Sequence, residues 1–163
     1  VFLFTLNTLH GNVEKTETKN VVKIISDAEF EKFDGLHCGA KYAQLKNKDW
    51  RCPSCKRTLR QCIRWRKISG RYWRELYGDE NGYGFTIGLH AHHDHGNRWH
   101  GTVIICGVCN AADGAIKRVL RLPDGWSFSV EELSRIVKAE PHGGGAIDYD
   151  MAKGIFDREY FRL

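Results

Sequence analysis

Hydrophobic positions along this chain come in short runs, and their spacing switches between the two of a strand and the three to four of a helix. Residues 1–6 (VFLFTL) and 21–25 (VVKII) are rich in β-branched and aromatic side chains and read as strands. Asp27 then caps a short helix through Phe33. Leu59, Cys62 and Ile63 recur at helical spacing and predict a helix over 56–67. The glycine-rich stretch 78–84 reads as a loop, and 85–92 as a strand with Phe85, Ile87 and Leu89 on one side. A turn at Gly96-Asn97 leads to a second strand over 101–105, and 110–120 reads as a helix. After a loop at 122–125, Ser129-Val-Glu-Glu132 is a capping box that opens a helix to about Ala139. Pro141 and the glycines at 143–145 break it, and 148–160 reads as a last helix.

This order of elements predicts an α+β protein in three stretches: an N-terminal β/α extension over 1–50, a core with a basic insert over 51–122, and a C-terminal helical segment over 123–163. At 163 residues, 42% apolar and 12% aromatic, the chain is long and hydrophobic enough to fold around a core. No internal repeat is visible. The longest apolar run, 1–6, is too short to span a bilayer. It also lacks the basic region and cleavage site of a signal peptide, so the expectation is a soluble cytoplasmic protein with no membrane partner.

Charge is distributed unevenly. Residues 41–74 hold twelve Lys/Arg against one acid, Asp49, a local charge of +11 where the whole chain carries +5, so the remainder is −6. Such a run usually makes a solvated face. Here it is interleaved with Trp50, Trp65, Tyr72 and Trp73, a mixture that suits phosphate neutralisation beside stacking aromatics. Arg57, Arg60, Arg64, Arg66, Lys67, Arg71 and Arg74 are therefore the candidate DNA-binding residues, with Lys117, Arg118 and Arg121 as an alternative surface. Trp65 and Trp73 pack either in the core or against DNA.

Four of the six cysteines form two tight pairs, Cys52-Pro-Ser-Cys55 and Cys106-Gly-Val-Cys109. Two such knuckles supply four thiolates to a tetrahedral structural zinc. A secreted disulfide framework would scatter its cysteines, and a redox dithiol needs only one pair. Cys62 reads as a small buried hydrophobe, and His37-Cys38 is an alternative ligand pair.

Between the knuckles lies LHAHHDH (89–95), which crowds four of the eight histidines into six residues. The order strand, histidine cluster, strand, CxxC, Asn110, helix resembles the HNH, or ββα-metal, nucleases. It is similar to the phage recombination endonuclease VII family, over 52–55 and about 90–119, and the zinc-tied core is shared by small type II restriction enzymes of the HNH class. The resemblance implies a ββα-metal nuclease core in which His93 is the general base and Asn110 a ligand of the catalytic metal. His92 stands where that family has a metal-binding Asp, and colicin-type relatives do place a His there. A nitrogen ligand in place of a carboxylate moves preference from Mg²⁺ toward Mn²⁺, Co²⁺, Ni²⁺ or Zn²⁺. Asp94 is the rival ligand, and His90, His95 and Asp113 match supporting polar positions. His95 and His100 serve equally well as donors to backbone carbonyls.

The same residues suit phosphodiester hydrolysis on chemical grounds, which needs a base for water and neutralisation of the charge on phosphorus. The expectation is a metal-dependent DNA endonuclease with a structural zinc and one catalytic divalent ion. Site-specific double-strand cleavage by a homodimer stands first. Branched-DNA resolution, nicking and a non-catalytic zinc-ribbon module are the alternatives. Leu133, Ile136, Val137, Ile155, Phe156, Tyr160 and Phe161 are candidates for the dimer contact.

Overall fold

The structure, a computed structural model, describes residues 22–38, 46–93, 102–123 and 125–160. The strand expected over 1–6, the turn at Gly96-Asn97, the side chains of Tyr160 and Phe161, and Asp94, His95 and His100 lie outside the described residues. What is described is α+β: three two-stranded antiparallel sheets among short helices.

Residues 22–25 run extended but pair with no strand among the described residues, and Ile25 alone of them is buried. Helix α1 (Asp27–Lys32) is capped by Ser26 rather than Asp27. The Ser26 Oγ accepts the Glu29 N–H at 3.3 Å, and the Glu29 carboxylate accepts the Ser26 N–H at 2.8 Å. A single 3₁₀ turn follows at Leu36–Cys38.

The helix expected over 56–67 is only one turn long, α2 (Leu59–Cys62), because its capping box is Thr58 with Gln61. Beyond Ile63 the chain extends into β1 (Arg64–Lys67), where Trp65 packs edge-on to Phe85 at 4.9 Å across the strand pair. That cross-strand aromatic contact stabilises a strand rather than a helix. A helix that the hydrophobic pattern did not mark, α3 (Arg71–Tyr77), links β1 to its partner β2 (Tyr83–Thr86).

The strand expected over 85–92 is two strands in different sheets. It breaks at Ile87-Gly88, and β3 (Leu89–His92) pairs instead with β4 (Val103–Cys106), Leu89 opposite Cys106 and His92 opposite Val103. The cause is the approach of the next helix, α4 (Gly107–Leu120), whose first N–H donates to the Gly88 carbonyl at 2.7 Å. A Cβ on Gly88 would lie 3.3 Å from the Gly107 Cα, so the crossing is made by two glycines.

The Ser129 capping box opens α5 (Val130–Ile136) as expected. The chain does not stay helical to Ala139. Val137–Ala139 becomes β5, paired with β6 (Gly145–Ile147) around the turn at Pro141, and the last helix is α6 (Tyr149–Tyr160).

One buried cluster joins all three sequence stretches, from Ile25 through Leu59, Ile105, Ile116 and Phe128 to Ile155. Leu133, Ile136, Val137 and Ile155, candidates for a dimer contact, are buried in this core, and Phe156 packs edge-on to Trp126. They stabilise the fold of their own chain and are not an outward surface. Among the described residues no helix is long and apolar enough to cross a membrane.

Candidate metal centre and histidine cluster

The two knuckles meet. Cys52, Cys55, Cys106 and Cys109 bring their sulfurs within 4.8 Å of one another, and none of the six cysteines is in a disulfide. The Sγ separations of 3.9 Å (Cys52–Cys109), 3.7 Å (Cys55–Cys106) and 3.6 Å (Cys106–Cys109) match the edge of a tetrahedron. For Zn–S bonds of about 2.3 Å that edge is about 3.8 Å. The donor set and its spacing fit a structural zinc.

Local backbone makes this possible. The first knuckle closes through Cys52 N–H to Arg57 O at 2.9 Å and Lys56 N–H to Cys52 O at 2.8 Å, with Lys56 in the left-handed region at φ 61°. The second knuckle is the last residue of β4 and the first turn of α4, so the metal site ties hairpin, helix and knuckle together. Cys62 is buried as expected, but its thiol also lies against Cys55 and Cys106, a fifth sulfur beside the set. Hydrogen bonds from Cys109, Cys52 and Cys55 hold the Cys106 thiol far below the ordinary thiol range.

Arg57 does not lie on an outward basic face. It is 5% exposed, and its guanidinium donates to Cys55 Sγ at 3.3 Å, Cys106 Sγ at 3.2 Å and the Glu140 carbonyl at 2.5 Å. Burial opposes its charge, but the Cys55 and Cys106 sulfurs outweigh burial and hold the pKa above its ordinary value. A zinc held by these four thiolates would carry a formal charge of −2, part of which Arg57 would offset. Arg60 is also committed elsewhere: it pairs with Asp27 and donates to the Ile25 carbonyl at 2.8 Å.

The histidines separate. His92 is buried, and its Nε2 lies 2.6 Å from the Phe128 carbonyl oxygen. A carbonyl only accepts, so Nε2 carries a proton, and in the neutral tautomer Nδ1 is the nitrogen with the lone pair. Asp113, also buried, accepts the Phe128 N–H at 3.0 Å and pairs with Lys117 at 3.2 Å. Asn110, half-buried, precedes Asp113 by one turn of α4, about 4.5 Å along the axis. His93 is exposed just past the end of β3, whereas His90 is turned toward the start of α4, its Nε2 near Gly88 and Gly107. His92 and Asp113 thus meet at Phe128, and Asn110 lies one turn from Asp113 on α4. Asp94 and His95 lie outside the described residues.

The remaining basic candidates divide in two. Arg64, Arg66 and Lys67 line a cleft of about 360 Å³ with His37, His90 and Gly107. Lys67 also lines, with Arg71 and Arg74, a different, open depression that holds Glu75, Asp79 and Glu80, and Arg71 is paired with Glu75 at 2.8 Å. Trp65 is half-buried under Lys23, whose Nζ sits 3.5 Å from the ring centroid, and Trp73 is half-buried beside Tyr72 and Tyr77.

Phe128 and Glu140 serve through their backbone carbonyls, a use that no side-chain pattern marks. His37, whose Nε2 lies 2.8 Å from the Phe85 carbonyl and whose ring stacks on Tyr77 at 4.5 Å, was noted only as a ligand beside Cys38. Compared with known proteins, the chain matches no family model, curated protein or solved structure.

Proposed function

We propose that this protein is a metal-dependent DNA endonuclease of the ββα-metal type, with His93 as general base and His92 and Asn110 as ligands of a divalent ion. The observation that carries the reading is the fixed ring of His92. Metal-binding histidines commonly donate their second N–H to a backbone carbonyl, which orients the ring and leaves the other nitrogen as ligand. His92 has this arrangement, with Phe128 as the acceptor and Nδ1 unbonded to any described residue. Further support comes from the order of elements: hairpin β3–β4 carries histidines at one end, and its other end runs into the cysteine set and the helix that bears Asn110.

In this reading the zinc-tied scaffold holds β3 against α4, and the exposed His93 takes a proton from water. Neutral imidazole is suited to that step near pH 7. His92 and Asn110 would hold a divalent ion, which when bound would supply charge neutralisation at phosphorus and assist the leaving 3′-oxygen. One hydrolytic site per chain makes a two-fold dimer the simplest route to double-strand cleavage, which we place ahead of junction resolution.

A second reading, a non-catalytic zinc-based nucleic-acid-binding module, is favoured by the structural use of both His92 Nε2 and Asp113 in holding Phe128. The two are separated by incubating the protein with plasmid and with a synthetic four-way junction in Mg²⁺, Mn²⁺, Co²⁺, Ni²⁺ and Zn²⁺ in turn. Cleavage that His93→Ala abolishes, with DNA binding and zinc content unchanged, supports the endonuclease. DNA binding without cleavage under every ion supports the module.

A further inference from the structure

We infer that the cleft between β1, the Leu36–Cys38 turn and the start of α4 binds phosphate groups, and that it seats the sugar-phosphate backbone of DNA beside the histidine cluster. The choice of DNA rests on the endonuclease reading; the choice of phosphate rests on the cleft.

Among the described residues the lining is cationic. Arg64, Arg66 and Lys67 contribute three permanent charges, His37 and His90 two imidazoles, and no carboxylate lines the cleft among the described residues. None of the three cations is in an ion pair with a described residue, unlike Arg60 and Arg71. Alternation along β1 puts Arg64 and Arg66 on the same side of the strand, and Arg64 is half-buried. Burial, then the charges of Arg66 and Arg57, push the Arg64 guanidinium below its ordinary range. Two adjacent guanidinium forks held without an anion match the oxygens of a phosphate.

The other walls are preformed. His37 is locked by its bond to Phe85 and its stack on Tyr77, and its Nδ1 is buried with no hydrogen-bond partner among the described residues. On the floor, Gly88 and Gly107 cross closely. A Cβ on Gly88 would stand 3.0 Å from His90 Nε2, so glycine leaves His90 its place on the wall.

Position ties the cleft to the proposed chemistry. His90 precedes His92 by two residues and His93 by three, which is about 7 to 10 Å along a strand. A backbone seated on Arg64 and Arg66 is led toward those histidines. Phosphates carry no base information, so the cleft adds affinity and register rather than sequence preference.

The test measures binding in a His93→Ala background without added divalent ion, by fluorescence anisotropy with two duplexes of unrelated sequence across a series of KCl concentrations. Cleavage by the parent protein is assayed separately. Arg64→Gln with Arg66→Gln is expected to weaken both duplexes equally, by about tenfold or more, and to flatten the salt slope by about two. Arg135→Gln, on the exposed side of α5, is expected to change neither. Zinc content and circular dichroism check the fold. Should the double variant misfold, the exposed Arg66→Gln alone is expected to flatten the slope by about one. If a folded variant keeps parental affinity and slope, the cleft proposal is overturned while the endonuclease reading stands. If the parent binds no DNA but calorimetry shows inorganic phosphate binding that the double variant loses, the cleft stands as a small-phosphate site and the endonuclease reading falls. Binding of neither DNA nor phosphate overturns the proposal.

Discussion

His92 and Asp113 grip the same residue from opposite ends: Asp113 takes the Phe128 N–H at 3.0 Å, and His92 gives its Nε2 proton to the Phe128 carbonyl at 2.6 Å. Phe128 is fully buried, so neither backbone group has water to fall back on. Strand β3, helix α4 and the start of the C-terminal segment are thereby joined at one peptide position. Asp113→Ala leaves a buried N–H unpaired, at a cost of about 1–3 kcal/mol. At this chain length each kcal/mol shifts Tm by about 2–4 °C, so thermal melting should show a drop of roughly 4–8 °C for a mid-range loss. Asp113→Asn keeps an acceptor and should lose less. An unchanged Tm in Asp113→Ala would remove the grip from the account.

The tautomer of His92 makes a prediction about metals. If Nδ1 is a ligand, His92→Ala and Asn110→Ala lose cleavage through the ion, and raised divalent concentration recovers part of it. His93→Ala should gain nothing from extra metal, because it lacks the base. His92→Asp should retain some activity and move its preference toward Mg²⁺. A metal series on the three alanine variants and the aspartate variant reads all of these, and equal rescue of His93→Ala would reassign the base.

Elemental analysis should find one zinc per chain. Cys109→Ala should lose it and unfold readily, since zinc–thiolate binding contributes on the order of 10 kcal/mol in small zinc domains. Cys62→Ala should keep full zinc despite its contact with Cys55 and Cys106, because it is the fifth sulfur and the other four already complete a tetrahedron. Acid should release the metal, as protons compete for the thiolates.

Arg57→Gln separates two roles for one arginine. Its bonds to Cys55, Cys106 and Glu140 predict faster zinc transfer to a chromogenic chelator and a lower Tm. If the protein binds DNA as proposed, the salt slope of that binding should stay parental. A flattened slope with normal zinc retention would return Arg57 to the DNA surface.

Cys38 gives a pH prediction. Burial pushes its thiol up to about 11 from the ordinary 9.0. In the unfolded chain the thiol ionises near pH 9, while in the folded protein it stays protonated until about pH 11. Its contribution is therefore complete below pH 9 and is lost as pH rises from 9 to about 11. Alkylation of Cys38 at pH 8 should be about a hundredfold slower in the folded protein than in denaturant, by the thiolate fraction alone. Equal rates would mean that the thiol is not buried as described.

The four cysteines, the run from hairpin into helix, the Ser129 cap and the last helix were legible because each is a local pattern: a spacing, a period or a box. The division of 85–92 was not, since its cause is Gly107 approaching Gly88 from a distant part of the chain. Likewise β1 was hidden inside an arginine-rich stretch whose Leu59-Cys62-Ile63 spacing is helical, and only pairing with β2 decides for a strand. Arg57 was misplaced for a related reason. A basic run looks like a surface, and the only local hint was that it follows Cys55 by two residues, within reach of the knuckle sulfur. Asp94 and His95 were legible as part of the histidine cluster but lie outside the described residues.

The separation of fifty-seven positions from Cys52 to Cys109 imposes an order on biosynthesis. The first thiol pair leaves the ribosome with half a coordination sphere, and its complement is made about 3–11 s later at 5–20 residues per second. Arg57 waits longer still for the Glu140 carbonyl, 83 residues downstream. Until then the nascent chain presents reduced cysteines and an unmatched arginine to its surroundings, so a scarcity of free zinc or a pulse of oxidant should harm newly made protein far more than the mature pool.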